Sequence, residues 1–301
     1  MFFVTGDLNI DTTTVAPVLS PSGKEAQASI LLSFGGQGGN VAFFLRCLGQ
    51  QVRLFGTLGD DAAGDLYAAR LAALGIAYAG GRASVPTGMV SVVQEAGSYH
   101  MYRQRGANAA VNATAFVQFV RGALKATGDV LFISGYSLLD PESRRAVELM
   151  LTRPATNRPT VAMDPSSIDA MSAMGRTAVL AAARRCDYLL PNEEEACWLA
   201  QESDAATAGA ALHAATGTDI AVKLGSGGAL LCGSQGTITA PGAPVTSLDV
   251  TGAGDSFAAA FLSSIAGGAS PRAALQAAVR FSAAKVQLAG TQPRELLDYC
   301  S

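Results

Sequence analysis

Apolar positions along the chain follow two alternating rhythms. Short runs of consecutive hydrophobic residues, Phe2-Phe3-Val4, Val130-Leu131-Phe132-Ile133, Thr160-Val161-Ala162-Met163, Tyr188-Leu189-Leu190 and Ile220-Ala221-Val222, have the length and continuity of strands buried on both faces. Helical periods lie between them. Val41, Phe44, Leu45 and Leu48 fall at i, i+3, i+4 and i+7, one face of an amphipathic helix opened by a glycine cluster. Gln51 to Leu58 reads as a strand leading to a helix that ends near Leu74. Further helices are predicted over 114–124, from Asp140-Pro141 to Leu151, and up to about Ala183. Such β-α alternation predicts an α/β fold with a doubly wound, mainly parallel central sheet flanked by helices. No repeat of fixed period and no low-complexity linker divides the chain, so residues 1–301 are expected to form a single domain.

Two stretches break the rhythm. Val15 to Phe34 lacks helical period and carries Pro17, Pro21 and Gly23, which suits extended structure with turns. Pro86 to Arg105 reads as a β-hairpin, Met89 to Gln94 and Tyr99 to Arg103 about a turn at Ala96-Gly97. Together they predict a small sheet formed by about 12–34 and 86–106 that serves as a lid beside a ligand loop; an antiparallel extension of the main sheet is the alternative.

Candidate chemistry concentrates in Asp249-Val250-Thr251-Gly252-Ala253-Gly254-Asp255, followed by the apolar run Phe257 to Ile265. Glycines let the backbone turn and approach a ligand, and the first amides of the following helix, with the positive end of its dipole, favour phosphate oxygens. Asp255 beside such a seat could take the proton of an attacking hydroxyl. The same residues also suit a plain capped helix with turn glycines. Asn9 and Asp11 follow the first strand in what reads as a polar loop, where a substrate or an Asx turn would place them. Gly35-Gly36-Gln37-Gly38-Gly39-Asn40 offers bare backbone and an amide side chain. Asn192-Glu193-Glu194-Glu195 makes a capping box with acids to spare, able to hold hydrated Mg²⁺ through water. Gly225-Ser226-Gly227-Gly228 turns a hairpin or lies along a nucleotide.

Composition narrows the function. With 301 residues and 49% hydrophobic residues there is ample core, and a formal net charge of −3 argues against nucleic acid as a partner. Five cysteines, none in a C-x-x-C pair, and no visible signal peptide set the expectation of reduced thiols in a cytoplasmic protein. Apolar helices broken by serine and glycine argue against a membrane span. His100 and His213 carry no relay pattern, no G-x-G-x-x-G follows the first strand, and no P-loop motif occurs.

Gly35–Asn40, Asn192–Glu195, Lys223–Gly228 and Asp249–Asp255, in this order and spacing, resemble the ribokinase-like (PfkB) carbohydrate kinases over nearly the whole chain. The resemblance implies ATP- and Mg²⁺-dependent transfer of the γ-phosphoryl to a hydroxymethyl group of a small sugar. It implies Asp255 as base, and the Gly252-Ala253-Gly254 amides as anion hole. Asn9, Asp11, Gly36, Gln37, Asn40 and Asp255 would meet the sugar. Asn192, Glu195, Lys223, Gly225, Ser226 and Gly228 would line the nucleotide, with Glu195 on Mg²⁺ through water. In many members a monovalent cation such as K⁺ sits beside the anion hole; Asp249, Thr251 and the carbonyls of Lys285, Leu288 and Gly290 match that site. Three features depart from the pattern. Gln37 stands where ribokinases commonly have lysine, Ile133-Ser134-Gly135-Tyr136 lacks their sugar-binding acid, and Arg294 replaces a small polar residue. A kinase for 2-keto-3-deoxygluconate, fructose or a nucleoside is the alternative of the same class, and a non-catalytic sugar-binding regulator that of another. A homodimer formed through the lid would cover the outer face of that sheet.

Overall fold

The computed structural model describes residues 1–16, 27–95, 98–123, 128–150 and 158–298. Pro17, Pro21, Gly23, the turn at Ala96-Gly97 and Leu151 lie outside them. The chain begins with β1 (Phe2–Thr5), then β2 (Asn9–Ala16), β3 (Ser29–Gly35), α1 (Gln37–Cys47), β4 (Val52–Phe55), β5 (Thr57–Gly59), α2 (Ala62–Ala73), β6 (Ala77–Tyr78) and β7 (Gly81–Ala83). The hairpin β8 (Gly88–Glu95) and β9 (Ser98–Gln104) follows. Regular alternation then resumes with α3 (Ala113–Ala123), β10 (Val130–Ser134), α4 (Pro141–Met150), β11 (Thr160–Asp164), α5 (Ile168–Met174), α6 (Arg176–Ala183), β12 (Tyr188–Leu189), α7 (Glu193–Ala200), α8 (Ala205–Thr216) and β13 (Asp219–Lys223). The chain closes through β14 (Gly228–Gly233), β15 (Gly236–Pro241), α9 (Ala253–Ala266) and α10 (Pro271–Lys285).

Among the described residues the main sheet has nine strands in the order β15-β14-β13-β12-β11-β10-β1-β4-β6. Pairing is parallel from β6 through β13, and the β13-β14 and β14-β15 pairs are antiparallel. Val4 lies between Phe132 and Leu54 in register, and every residue of β1 and β10 is buried, as expected of strands covered on both faces. One face packs on α1, α9 and α10 through Phe43, Phe44, Phe257, Phe261 and Phe281. The other packs on helices α3 to α8 through Phe116, Met171, Leu180, Leu199 and Leu212. After β1 the chain builds one side of the sheet and then returns to the other, so strand order reverses between β1 and β10. Ligands of open α/β sheets bind outside the carboxyl ends of the strands at such a point.

Two expectations need correction. Asn9 and Asp11 are not in a loop but on β2, which pairs with both β3 and β8. The run Asn9 to Val15 is too polar to read as buried structure, yet a strand flanked on both sides by partners satisfies its backbone without an apolar face, and its threonines favour extended geometry. The separate sheet, β3-β2-β8-β9, therefore starts at Asn9 rather than near residue 12. The helix expected up to Ala183 is two helices, α5 and α6, split at Gly175, whose φ of 84° no helix accommodates.

The glycine cluster begins α1 one turn before the apolar period. Gly38 packs against Gly6 so closely that a Cβ at 38 would lie 2.7 Å from the Gly6 Cα. Gly38→Ala is expected to destabilise the fold by about 1–3 kcal/mol, read as a lower urea midpoint with unchanged slope.

Candidate active site

Side chains that bear chemistry gather along the carboxyl edge of the sheet. Asp7 follows β1, Ser134 ends β10 and Tyr136 follows it, Asp164 ends β11 and Ser166 follows it, Asn192 follows β12 and Lys223 ends β13. Facing them is the amino end of α9. Gly252, in the left-handed conformation (φ 78°), turns the chain into that helix. The Ala253 N–H folds back onto the Val250 carbonyl (3.1 Å), and Ser256 N–H reaches the Gly252 carbonyl (2.9 Å). Of the amides at Gly252, Ala253, Gly254 and Asp255, that of Ala253 is engaged within the turn, and the other three can donate to an anion.

Asp255 is the meeting point. Asn40 Nδ2, on α1, donates to Asp255 Oδ2 (2.8 Å), and Gln292 Nε2 donates to Asn40 Oδ1 (3.1 Å), which fixes the amide's orientation. Burial pushes the Asp255 carboxyl up to about 7, with Asp164 adding to the rise, while Asn40, Lys223 and Gln37 act against it. A carboxyl so poised changes protonation near neutral pH, as a general base requires.

Two cavities, each of about 480 Å³, meet at Gln37, Ser166 and Asp255. The first runs past Asn192, Glu195, Lys223, Gly225, Ser226 and Gly228 to the turn at Gly252–Asp255. The second lies between the edge of the sheet and the small sheet, and is lined by Asp7, Asn9, Asp11, Gly36, Arg103 and Tyr136. Asp249, Thr251 and Gly290 also border it, whereas Asn40 enters only through Asp255.

In the first cavity Lys223 Nζ donates to Asp164 Oδ2 (2.6 Å) and approaches the turn before α9, where a Cβ on Gly254 would meet Nζ at 3.4 Å. Burial works against the ammonium, but Asp164 and Glu195 outweigh it and the Lys223 pKa is raised. The capping box is complete: Glu195 N–H donates to Asn192 Oδ1 (2.8 Å) and Asn192 N–H to Glu195 Oε2 (2.9 Å). Burial also raises the Glu195 pKa, which Lys223 opposes and Asp164 reinforces. The Gly225–Gly228 segment turns the antiparallel β13-β14 pair and lines this cavity as well.

In the second cavity burial raises Asp11 to about 7, opposed by Arg103 and reinforced by Asp255, and Asp11 Oδ1 has no hydrogen-bond partner. Burial raises Asp7 to about 6, with Arg105 nearby at 3.6 Å opposing the rise. Asn9 Oδ1 accepts from Asn108 Nδ2 (2.7 Å). Arg103 lies over the Tyr136 ring, 5.5 Å from its centroid.

The residues matched to a monovalent cation carry other partners. Asp249 takes the Thr251 N–H on Oδ1 (2.8 Å) and the Gly290 N–H on Oδ2 (2.9 Å), the Lys285 carbonyl accepts Leu288 N–H (3.0 Å), and the buried Lys285 ammonium donates to the Asp249 carbonyl (2.9 Å). Arg294 is exposed in a short turn.

Asp7, Arg103, Tyr136, Asp164, Ser166 and Gln292 had not been singled out from the sequence as site residues. The position of Asp7, Tyr136, Asp164 and Ser166 at or just past a strand's carboxyl end was the available signal. Ser166 is also a non-glycine residue at φ 79°, and its hydroxyl donates to Gln37 Oε1 (2.7 Å) and accepts Tyr136 N–H (3.2 Å). Such a conformation persists when surrounding bonds hold it, often at functional sites.

Comparison with known proteins identifies the family. Residues 1–296 match the family described as pfkB family carbohydrate kinase. The chain belongs to that family. It is 32% identical over 305 residues to the bifunctional protein HldE of Bradyrhizobium sp. (strain ORS 278), across 96% of this chain but only 58% of that protein, so the chain spans little more than half of that relative. It is 29% identical to a ribokinase of Schizosaccharomyces pombe, over 95% of this chain and 92% of the relative. Its fold superposes on phosphofructokinase-2 of Escherichia coli, solved with potassium, with a TM-score of 0.78 at 23% identity, covering 99% of this chain and 97% of the other. The pfkB assignment makes the chain an ATP-dependent carbohydrate kinase by family; no helix among its described residues is long and apolar enough to cross a membrane.

Proposed function

We propose that this kinase transfers the γ-phosphoryl of ATP to a hydroxymethyl group of a small sugar, with Asp255 as the base. One observation carries the reading: Asp255 stands where the two cavities join, its carboxyl held near 7 by burial. ATP occupies the cavity of Asn192, Lys223 and Gly225 to Gly228, with its terminal phosphate on the Gly254 and Asp255 amides and near the Lys223 ammonium. Mg²⁺ fits this donor set. It keeps most of its waters and needs one or two carboxylates plus phosphate oxygens, and Glu195 lines the cavity with one carboxylate oxygen outside the capping box. Bound there, Mg²⁺ would neutralise phosphate charge.

The sugar occupies the second cavity, where Asp11, with an unpartnered oxygen, and Asp7 accept hydroxyl protons. The accepting hydroxymethyl group then points at Asp255, which takes its proton as the hydroxyl oxygen bonds to phosphorus and ADP leaves. The small sheet serves as a lid that excludes water, and its exposed Ile30, Leu32 and Tyr102 support a homodimer formed across it. A cytoplasmic location agrees with small soluble substrates. Arg103 on the wall of the sugar cavity favours one second reading, a carboxylated sugar such as 2-keto-3-deoxygluconate.

An ATP-consumption screen over pentoses, hexoses, keto-acid sugars and nucleosides tests the reading. Sugar-dependent ADP release with a neutral sugar is expected. Preference for a keto-acid selects the second reading, and sugar binding without ADP release would point to a regulator instead.

A further inference from the structure

We infer that the Lys285 ammonium stands in for a monovalent cation behind the anion turn, so that this chain carries its own positive charge there and does not need potassium. Lys285 is the last residue of α10 and its side chain is fully buried, with Nζ on the Asp249 carbonyl at 2.9 Å. A buried ammonium is costly unless it is paired, and this one is spent on the backbone of the loop that leads into the anion turn. Three neighbouring oxygens that a cation would use are already engaged. Both carboxylate oxygens of Asp249 and the Lys285 carbonyl already accept N–H groups, and an ion among them would sit beside a like charge.

The position couples Lys285 to the site from two directions. Through Asp249 it holds the segment that continues to Gly252, and the Asp249–Gly290 bond ties that segment to Thr291, which backs Gly252 at 3.3 Å from where a Cβ would lie. Gln292, one residue further, orients Asn40 and through it Asp255. Burial lowers the Lys285 pKa, and the carboxylates of Asp249 and Asp255 oppose that, so the same acids that would attract a free cation act on the lysine. Lys285 is therefore a positioning residue: it makes no contact with the substrate cavities and acts by fixing the loop and its charge.

The test compares the unmodified protein with Lys285→Ala in KCl and in tetramethylammonium chloride at equal ionic strength, reading both the unfolding midpoint and sugar-dependent ATP turnover. For the unmodified protein neither quantity should change on exchanging the cation. In tetramethylammonium Lys285→Ala should lose ~10-fold or more in turnover, and K⁺ should restore turnover and raise the midpoint by binding the vacated space. Lys285→Met, which fills that space with an apolar chain, should show no rescue. A K⁺-dependent midpoint or turnover in the unmodified protein would overturn the inference, as would a Lys285→Ala variant indifferent to K⁺. If the alanine variant does not fold, the titration of the unmodified protein decides alone. The turnover arm rests on the kinase reading but the midpoint does not, so a protein that phosphorylates no sugar refutes the former while the thermal result still reports on Lys285.

Discussion

Asp255→Asn is expected to lower turnover about 10²- to 10⁴-fold while leaving the fold intact. Asparagine keeps an oxygen for the Asn40 Nδ2–H bond and nearly the same volume, so what disappears is the proton acceptor. The pH profile should report the same group. Because the carboxyl is raised from 3.8 to about 7, kcat/KM of the unmodified enzyme should climb with pH until about 7 and then level. Stability should move the other way. A group whose folded pKa lies above its unfolded value contributes stability that is full below 3.8 and lost as pH rises through about 7, since the folded protein then buries an ionised acid. Asp255→Asn does not titrate, so its stability relative to the unmodified protein should improve across that window. Steady-state kinetics and urea denaturation from pH 5 to 9 check both limbs. Near-normal turnover in the variant would remove Asp255 from the role of base.

Lys223→Met is expected to be the most destabilising single change at the site, by roughly 3–5 kcal/mol. Asp164 is 2% exposed, and the ammonium 2.6 Å away is what makes its burial tolerable, with buried Glu195 drawing on the same charge. Methionine preserves the volume and removes the charge, leaving two carboxylates without compensation. The loss should shrink at acid pH, where Glu195, its pKa raised by burial, takes up a proton. In the unmodified protein the raised Lys223 pKa means that the pair's contribution persists through neutral pH and fades only as pH climbs past the lysine's folded value, above 10.5. Turnover should fall as well, because the ammonium adjoins Gly254 of the anion turn. Denaturation midpoints at pH 5 and 8 measure the effect; a shift worth less than about 1 kcal/mol at both would mean the pair is not what holds this edge together.

The parts of this architecture that depend on near neighbours in sequence were legible in the sequence. Continuous apolar runs predicted β1, β10, β11 and β13, and the capping box predicted at Asn192 and Glu195 has both of its hydrogen bonds. The glycine turn before α9 read correctly as a helix start because φ > 0 at Gly252 is a local requirement. What escaped were features made by distant partners. Asn9 and Asp11 lie on a strand because β3 and β8 pair with it from both sides, which no local pattern of this polar run reveals. Ser166 meets Gln37 across 129 residues and Gln292 meets Asn40 across 252, so neither pair leaves a motif. Lys285 read as a chain position offering a carbonyl, and only the packing of α10 on the Asp249 loop turns its side chain into the relevant group. Asp164 directly follows the apolar run that ends at Met163, and its role comes from Lys223 reaching back to it.

The measurement that bears most directly on this account is a crystal structure of the protein with a phosphorylated sugar and ADP, or with the sugar and a non-hydrolysable ATP analogue. The account predicts the terminal phosphate on the Gly254 and Asp255 amides and the accepting hydroxyl within hydrogen-bond reach of the Asp255 carboxylate. A nucleotide bound away from Lys223 and Gly225, or a sugar whose hydroxyls all lie beyond the reach of Asp255, would contradict it.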